Sequence, residues 1–218
     1  MSDDMQLQQW VMDELAFDPR VDGTHIGVSV RNGVVTLSGR VGSYAEKFAA
    51  EEVARRVKGV LAVAQKLEVH LPSDKKTDDD EIAERAARML HWDVLVPDDR
   101  IKVRVEHGYV TLIGEVEWHF QRAEAEADVR KLSGVKAVIN DIEVKPTVRS
   151  QNVEGRIRAA LERNAATEAD RVSVKVSNGK VTLTGKVNAW TEREVIERAA
   201  WSVPGVTEVD DQIGLARP

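Results

Sequence analysis

Apolar residues recur every four positions at Leu7, Val11 and Leu15, and the same spacing returns at Ile82, Ala86 and Leu90 and at Val153, Ile157 and Leu161. One apolar residue per turn makes a single stripe along an amphipathic helix, so three such helices are predicted. After each stripe the pattern changes to alternation. Val28 and Val30 alternate with polar residues, Asn32-Gly33 intervenes, and Val35 and Leu37 resume the alternation. A two-residue hairpin turn needs positive φ at both central positions, which Asn32-Gly33 and Asn178-Gly179 suit and His107-Gly108 tolerates. Such a turn pairs Val30 with Val35 and Val28 with Leu37, and it pairs Val105 with Val110, Val103 with Leu112, Val176 with Val181 and Val174 with Leu183. Every pair is apolar, so turn chemistry and alternation specify one register independently.

The other face of each hairpin is polar: Ser29, Arg31 and Thr36 in the first, Lys102, Arg104 and Thr111 in the second, Lys175, Ser177, Lys180 and Thr182 in the third. A second helical stripe follows through Ala50, Ala54 and Val57, through Ala125, Val129 and Leu132, and through Ile196, Ala200 and Val203. Each stops at a Gly-Val step and is succeeded by a last strand, through Val63, Leu67 and Val69, Val138, Ile142 and Val144, and Val209, Ile213 and Leu215. The copies keep strict register. Leu15, Leu90 and Leu161 lie 18 residues before the turn glycine, and Gly59, Gly134 and Gly205 lie 26 after it. Turn glycines are 75 and then 71 residues apart, and the extra four residues fall in the polar stretch between Val69 and Ile82, which marks a linker. A second boundary runs from Pro146 to Asn152. The predicted fold class is therefore α+β: three tandem αββαβ domains, over residues 3–71, 78–145 and 150–216, each a three-stranded sheet with two helices on one face.

Composition adds exclusions. The chain is 42% hydrophobic and 31% charged, an ordinary globular balance, and no run of about 18 apolar residues suggests a membrane span. Met1-Ser2-Asp3-Asp4 is acidic where a secretory signal is basic, so the chain as written is expected to be cytoplasmic. Without cysteine, disulfides, thiolate metal sites and a cysteine nucleophile are excluded. The net charge of −6 divides as −2 for residues 1–73, −5 for residues 74–146 and +1 for residues 147–218. No segment has the positive excess of a duplex-binding protein, and nucleic acid is not an expected partner.

The order of helix, hairpin with Asn32-Gly33 and its counterparts, helix, Gly-Val step and strand resembles the BON domain, a bacterial module named for OsmY and nodulation proteins. The resemblance covers nearly the whole chain three times. It implies a stress-associated binding protein of the envelope, with proposed recognition of phospholipid surfaces, and a periplasmic or peripheral membrane location. A cytoplasmic relative with a LysM domain binds potassium, so the resemblance also implies a potassium-responsive sensor as an alternative. Many relatives carry a signal sequence, which is not read here, and no LysM-like segment follows the third copy.

Candidate sites are few. No nucleophile or acid/base constellation, no helical His pair for zinc and no Walker or GxGxxG sequence occurs, so no catalytic residue, metal or cofactor is expected and the protein is expected not to be an enzyme. Asp78 and Glu81 have capping-box spacing before the second copy. Gly39-Arg40-Val41-Gly42 spells the GxxG clamp of RNA-binding KH modules, but its second glycine is not repeated in the other copies. His107 occupies a turn position, and the remaining histidines, His119 among them, are expected to be solvated. The connection into the second helix repeatedly carries aromatics: Tyr44, then Trp118 and Phe120, then Trp190. These suit a membrane–water interface, or else a hydrophobic staple or packing between copies. The polar sheet faces offer Arg31, Lys102, Arg104 and Lys175 to lipid phosphates, or simply to solvent. Copy two also places Tyr109 and Ile113 on that face, a candidate patch for a protein partner or scaffold assembly, with the oligomeric state left open.

Overall fold

The computed structural model describes residues 3–72, 77–147, 151–164 and 171–216. In the first repeat, helix α1 (Asp3–Phe17) leads to strands β1 (Ile26–Arg31) and β2 (Val34–Val41), helix α2 (Tyr44–Arg56) and strand β3 (Ala62–Val69). The second repeats the order with α3 (Asp79–Trp92), β4 (Ile101–Glu106), β5 (Tyr109–Val116), α4 (His119–Arg130) and β6 (Ala137–Val144). The third has α5 (Val153–Glu162), β7 (Val172–Ser177), β8 (Lys180–Val187), α6 (Trp190–Trp201) and β9 (Glu208–Leu215).

Each repeat forms its own three-stranded sheet with the hairpin's second strand in the middle. The hairpins are antiparallel with the predicted partners, Val28 opposite Leu37 and Val30 opposite Val35, and likewise in the other repeats. The last strand runs parallel to the middle one, so α2, α4 and α6 are the crossovers that a parallel connection requires. Asn32, His107 and Asn178 have φ of +51°, +54° and +50°, as the turn demands. Three separate cores result, built around Leu37, Leu112 and Leu183 and the helical stripes read from the sequence.

Two repeated features have causes that the alternation does not reveal. Asp78 stands at the N-cap of α3 but makes no capping bond with its side chain. The working carboxylate is that of Asp79, which accepts hydrogen bonds from the backbone N–H groups of His107 (2.6 Å) and Gly108 (2.8 Å). Asp4 does the same for Asn32 (2.8 Å) and Gly33 (3.1 Å). The first helix thus clamps the hairpin turn through two backbone N–H groups. Ser150, the equivalent in the third repeat, lies outside the described residues. The glycine of each middle strand is fixed by close approach: a Cβ on Gly39, at φ +120°, would lie 2.1 Å from the carbonyl oxygen of His25. Gly114 and Gly185 meet the carbonyls of Arg100 and Arg171 in the same way. The first glycine of Gly39-Arg40-Val41-Gly42 is accordingly a strand-packing residue.

Candidate functional site

The connection from the middle strand to the second helix is tied down identically in all three repeats. Glu46 accepts from the backbone N–H of Gly42 (2.7 Å), Gln121 from those of Glu117 (3.1 Å) and Trp118 (3.0 Å), and Glu192 from that of Asn188 (3.0 Å). These three residues occupy equivalent positions, and each returns from inside the first helical turn to its own entry loop. The first helical residue is thereby held facing away from its own core. That residue is Tyr44, His119 or Trp190.

Each projects onto the next repeat. Tyr44 packs against the second core, and its hydroxyl is hydrogen-bonded to the backbone of Val138, while burial pushes the phenol above its ordinary pKa. His119 stacks on Trp201 of the third repeat, with ring centroids 4.1 Å apart and planes inclined by 14°. Trp190 returns to the first repeat, where its indole Nε1–H donates to the carbonyl of Val60 at 3.0 Å. The receiving residues are equivalent too. Arg55 lies 5.0 Å from the Trp190 ring centroid, Arg130 lies 3.6 Å from that of Phe48, and Trp201 receives His119. A head-to-tail contact that closes after three copies describes a rotation near one third of a turn.

The sequence-predicted residues therefore divide. Tyr44 and Trp190 are half-buried at junctions between repeats, the packing alternative foreseen for them. Trp118 and Phe120 line an open cleft of about 720 Å³ between the second and third repeats, together with His119, Ala123 and Trp201. His119 is a correction: it was expected to be solvated, but stacking half-buries it, and burial, with Arg122 adding to it, pulls the imidazole below its ordinary pKa. Arg31, Lys102, Arg104 and Lys175 are exposed on sheet faces turned away from the helices and enter no ion pair among the described residues. Tyr109 and Ile113 are exposed on the outer face of the second sheet, where Ile139 of the parallel strand joins them around a buried Thr111.

Three features escaped the sequence reading. Ile139 alternates outward between the inward positions of β6, but only the parallel register places it beside Thr111 on the face of Tyr109 and Ile113. Phe48, Arg55, Arg130 and Trp201 become visible only when the second helices of the copies are aligned with one another. Phe17 and Trp92, equivalent residues closing α1 and α3, are 82% and 77% exposed. Alongside them Val94 is fully open, Leu95 is half-exposed, and Trp10 and Phe17 border a shallow groove with Arg56 and Lys58. Among the described residues no cluster of His, Asp and Glu suits a metal ion, and no helix is long and apolar enough to cross a membrane.

Comparison with known proteins gives these observations a family. Osmotically-inducible protein Y of Escherichia coli is 34% identical over 148 residues, covering 66% of this chain and 73% of that protein. Potassium binding protein Kbp of Escherichia coli is 30% identical over 63 residues, which is 29% of this chain and 42% of that protein. A solved structure of CdsD, a structural protein of the type III secretion system of Chlamydia trachomatis, aligns over 97% of this chain and 92% of its own with a TM-score of 0.27 and 16% identity, too distant to bear on assembly. The model of the BON domain matches three times, at residues 3–70, 78–146 and 150–217, and the chain belongs to the BON domain family.

Proposed function

We propose that this protein is a non-enzymatic binding protein of osmotic stress that docks on a phospholipid surface of the envelope. Its likeness to osmotically-inducible protein Y supplies the stress context. The observation that carries the docking is the pair Phe17 and Trp92, two large rings left in solvent at equivalent positions of the first and second repeats. Exposed aromatics of this size are expensive in water and favourable in the headgroup zone. Lys58 beside Phe17 adds attraction to anionic headgroups, while Arg56 there is paired with Asp18 at 2.8 Å and Asp13 and Glu14 border the same groove. The sheet-face cations Arg31, Lys102, Arg104 and Lys175 contribute a weaker long-range attraction, opposed by the acidic second repeat. Tyr44 and Trp190 act in this reading by holding the repeats together.

The test is cosedimentation of the full chain with phosphatidylglycerol and phosphatidylcholine vesicles at low salt. Phe17→Ser with Trp92→Ser should release the protein while leaving its circular dichroism unchanged, and Lys102→Glu with Arg104→Glu should weaken binding less. Absence of binding by folded parent protein to either vesicle refutes the proposal.

The 63-residue likeness to a potassium binding protein favours a second reading, a potassium-responsive sensor. A ligand that binds only the native state raises its stability, so the melting temperature should be higher in potassium than in sodium chloride at equal concentration.

A further inference from the structure

The three junctions are built from the same positions, and two of them contain their own cation. Where the third repeat meets the first, Arg55 stands over Trp190. Where the first meets the second, Arg130 stands over Phe48. Where the second meets the third, the position of those arginines is taken by Trp201, and the position of Phe48 by Ala123. Tryptophan in place of arginine removes the guanidinium and adds an aromatic wall. Alanine in place of phenylalanine removes the ring that filled the space. The consequence is volume: about 720 Å³ opens at this junction, against about 340 Å³ where Arg55 meets Trp190.

The lining of the larger cleft is chemically one-sided. Trp118, Phe120 and Trp201 contribute aromatic surface, and Glu124, Glu194 and Glu197 contribute carboxylates against the single cation Arg198. Glu197 is held at the indole, accepting from Trp201 Nε1–H at 3.4 Å. Among the described residues no guanidinium or ammonium lies over these three rings. Aromatic faces attract cations, and carboxylates around them add to the attraction. A lysine-type ammonium is strongly hydrated and keeps its water unless close acceptors replace it. A cation sheathed in methyl groups needs no such acceptors and gains from the apolar walls.

We propose that the cleft between the second and third repeats binds a quaternary ammonium group, in the space that Ala123 leaves where the first junction has the Phe48 ring. This assignment is independent of docking through Phe17 and Trp92, because the cleft is lined by other residues; a free alkylammonium solute and a phosphatidylcholine headgroup present the same trimethylammonium chemistry to it.

The experiment follows the indole N–H resonances of ¹⁵N-labelled full-length protein during titration with tetramethylammonium chloride, with sodium chloride as the ionic-strength control. Trp118 and Trp201 should shift saturably while Trp10 and Trp92 do not. Trp201→Arg, which restores the pattern of the other junctions, should abolish the Trp118 shift with the Trp190 resonance unmoved as the check on folding. Glu197→Gln should weaken binding roughly threefold to tenfold, the loss of one charge beside the bound cation. Competition by phosphatidylcholine vesicles, absent with phosphatidylglycerol, would identify a lipid headgroup as the source; retention of the tetramethylammonium shift without that competition would identify a free solute. No saturable shift, an equal shift of all the indoles, or an undiminished Trp118 shift in Trp201→Arg overturns the proposal. Because vesicle binding is lost through Phe17 and Trp92 and this response through Trp201, failure of one reading is distinguishable from failure of the other.

Discussion

Closure of the ring depends on a contact between residues 130 positions apart in the chain, Trp190 and Val60, and replacing Trp190 by alanine tests it directly. Three losses accompany the change. The indole is half-buried, so withdrawing it from contact costs about 1.5–2 kcal/mol of apolar burial. The hydrogen bond to the Val60 carbonyl contributes about 1 kcal/mol. Removing the ring beneath Arg55 costs about 0.5–1 kcal/mol more. Together these give about 3–4 kcal/mol, whereas substituting a solvated surface aromatic changes stability by less than about 0.5 kcal/mol. Trp190→Phe keeps most of the packing and loses the donor, so it should cost about 1 kcal/mol. Urea unfolding followed by far-ultraviolet circular dichroism measures the sum. Amide hydrogen exchange locates it: protection should fall in the first repeat near Leu61, whose N–H bonds to the Gly33 carbonyl beside the contact, as well as in α6. A change below 0.5 kcal/mol, or loss of protection confined to the third repeat, would refute ring closure through Trp190.

Two further predictions concern single repeats. Gly39→Ala forces a Cβ into the His25 carbonyl at a positive φ and should cost at least about 3 kcal/mol, read as a lowered denaturation midpoint; a loss below 1 kcal/mol would mean that β1 and β2 can separate at that point without penalty. Asp128 is nearly buried, and burial, then the hydrogen bond and charge of Asp93, push its carboxyl above the usual range, with Lys131 opposing. The folded state therefore holds the proton more tightly than the unfolded chain, so this site's stabilising contribution is complete below the ordinary carboxylate pKa and is lost as pH rises through the raised value. Asp128→Val, which installs the residue of the first repeat (Val53), should raise stability at pH 7 by about 1–2 kcal/mol and flatten that part of the pH profile in thermal melts.

The internal fold of each repeat was legible because its signals are local and redundant. Asn32-Gly33 fixes a turn, the turn fixes a register, and Val28, Val30, Val35 and Leu37 confirm it from their own alternation. The parallel third strand was legible as a strand but not in its register against the middle strand, so Ile139 was not joined to Tyr109 and Ile113. Asp79 was hidden by its neighbours: four consecutive acidic residues suggest a helix-dipole role, and only the folded turn shows which carboxylate reaches His107 and Gly108. The junctions were the least legible. An aromatic at Tyr44 or Trp190 reads equally as a membrane anchor or as packing, because no property of its neighbours names a partner in another repeat. The decisive signal lay in comparing the copies position by position, where Arg55, Arg130 and Trp201 break an otherwise conservative pattern.

That break shows how a repeat protein can acquire a specific site without disturbing a core. Leu37, Leu112 and Leu183 are interchangeable in their surroundings, and substitutions there would act on folding. The junction positions stand at the edges of their own cores, and each meets a neighbouring repeat. An arginine narrows such a junction, since its guanidinium covers a ring there and its stem fills part of the space. A tryptophan on α6 facing an alanine on α4 leaves the junction open while preserving contact through the stacked His119. The ring can therefore close at all three junctions yet expose a binding cleft at one. Restoring arginine at Trp201 should remove the cleft and keep the ring, which separates the structural role of the junction from its capacity to bind.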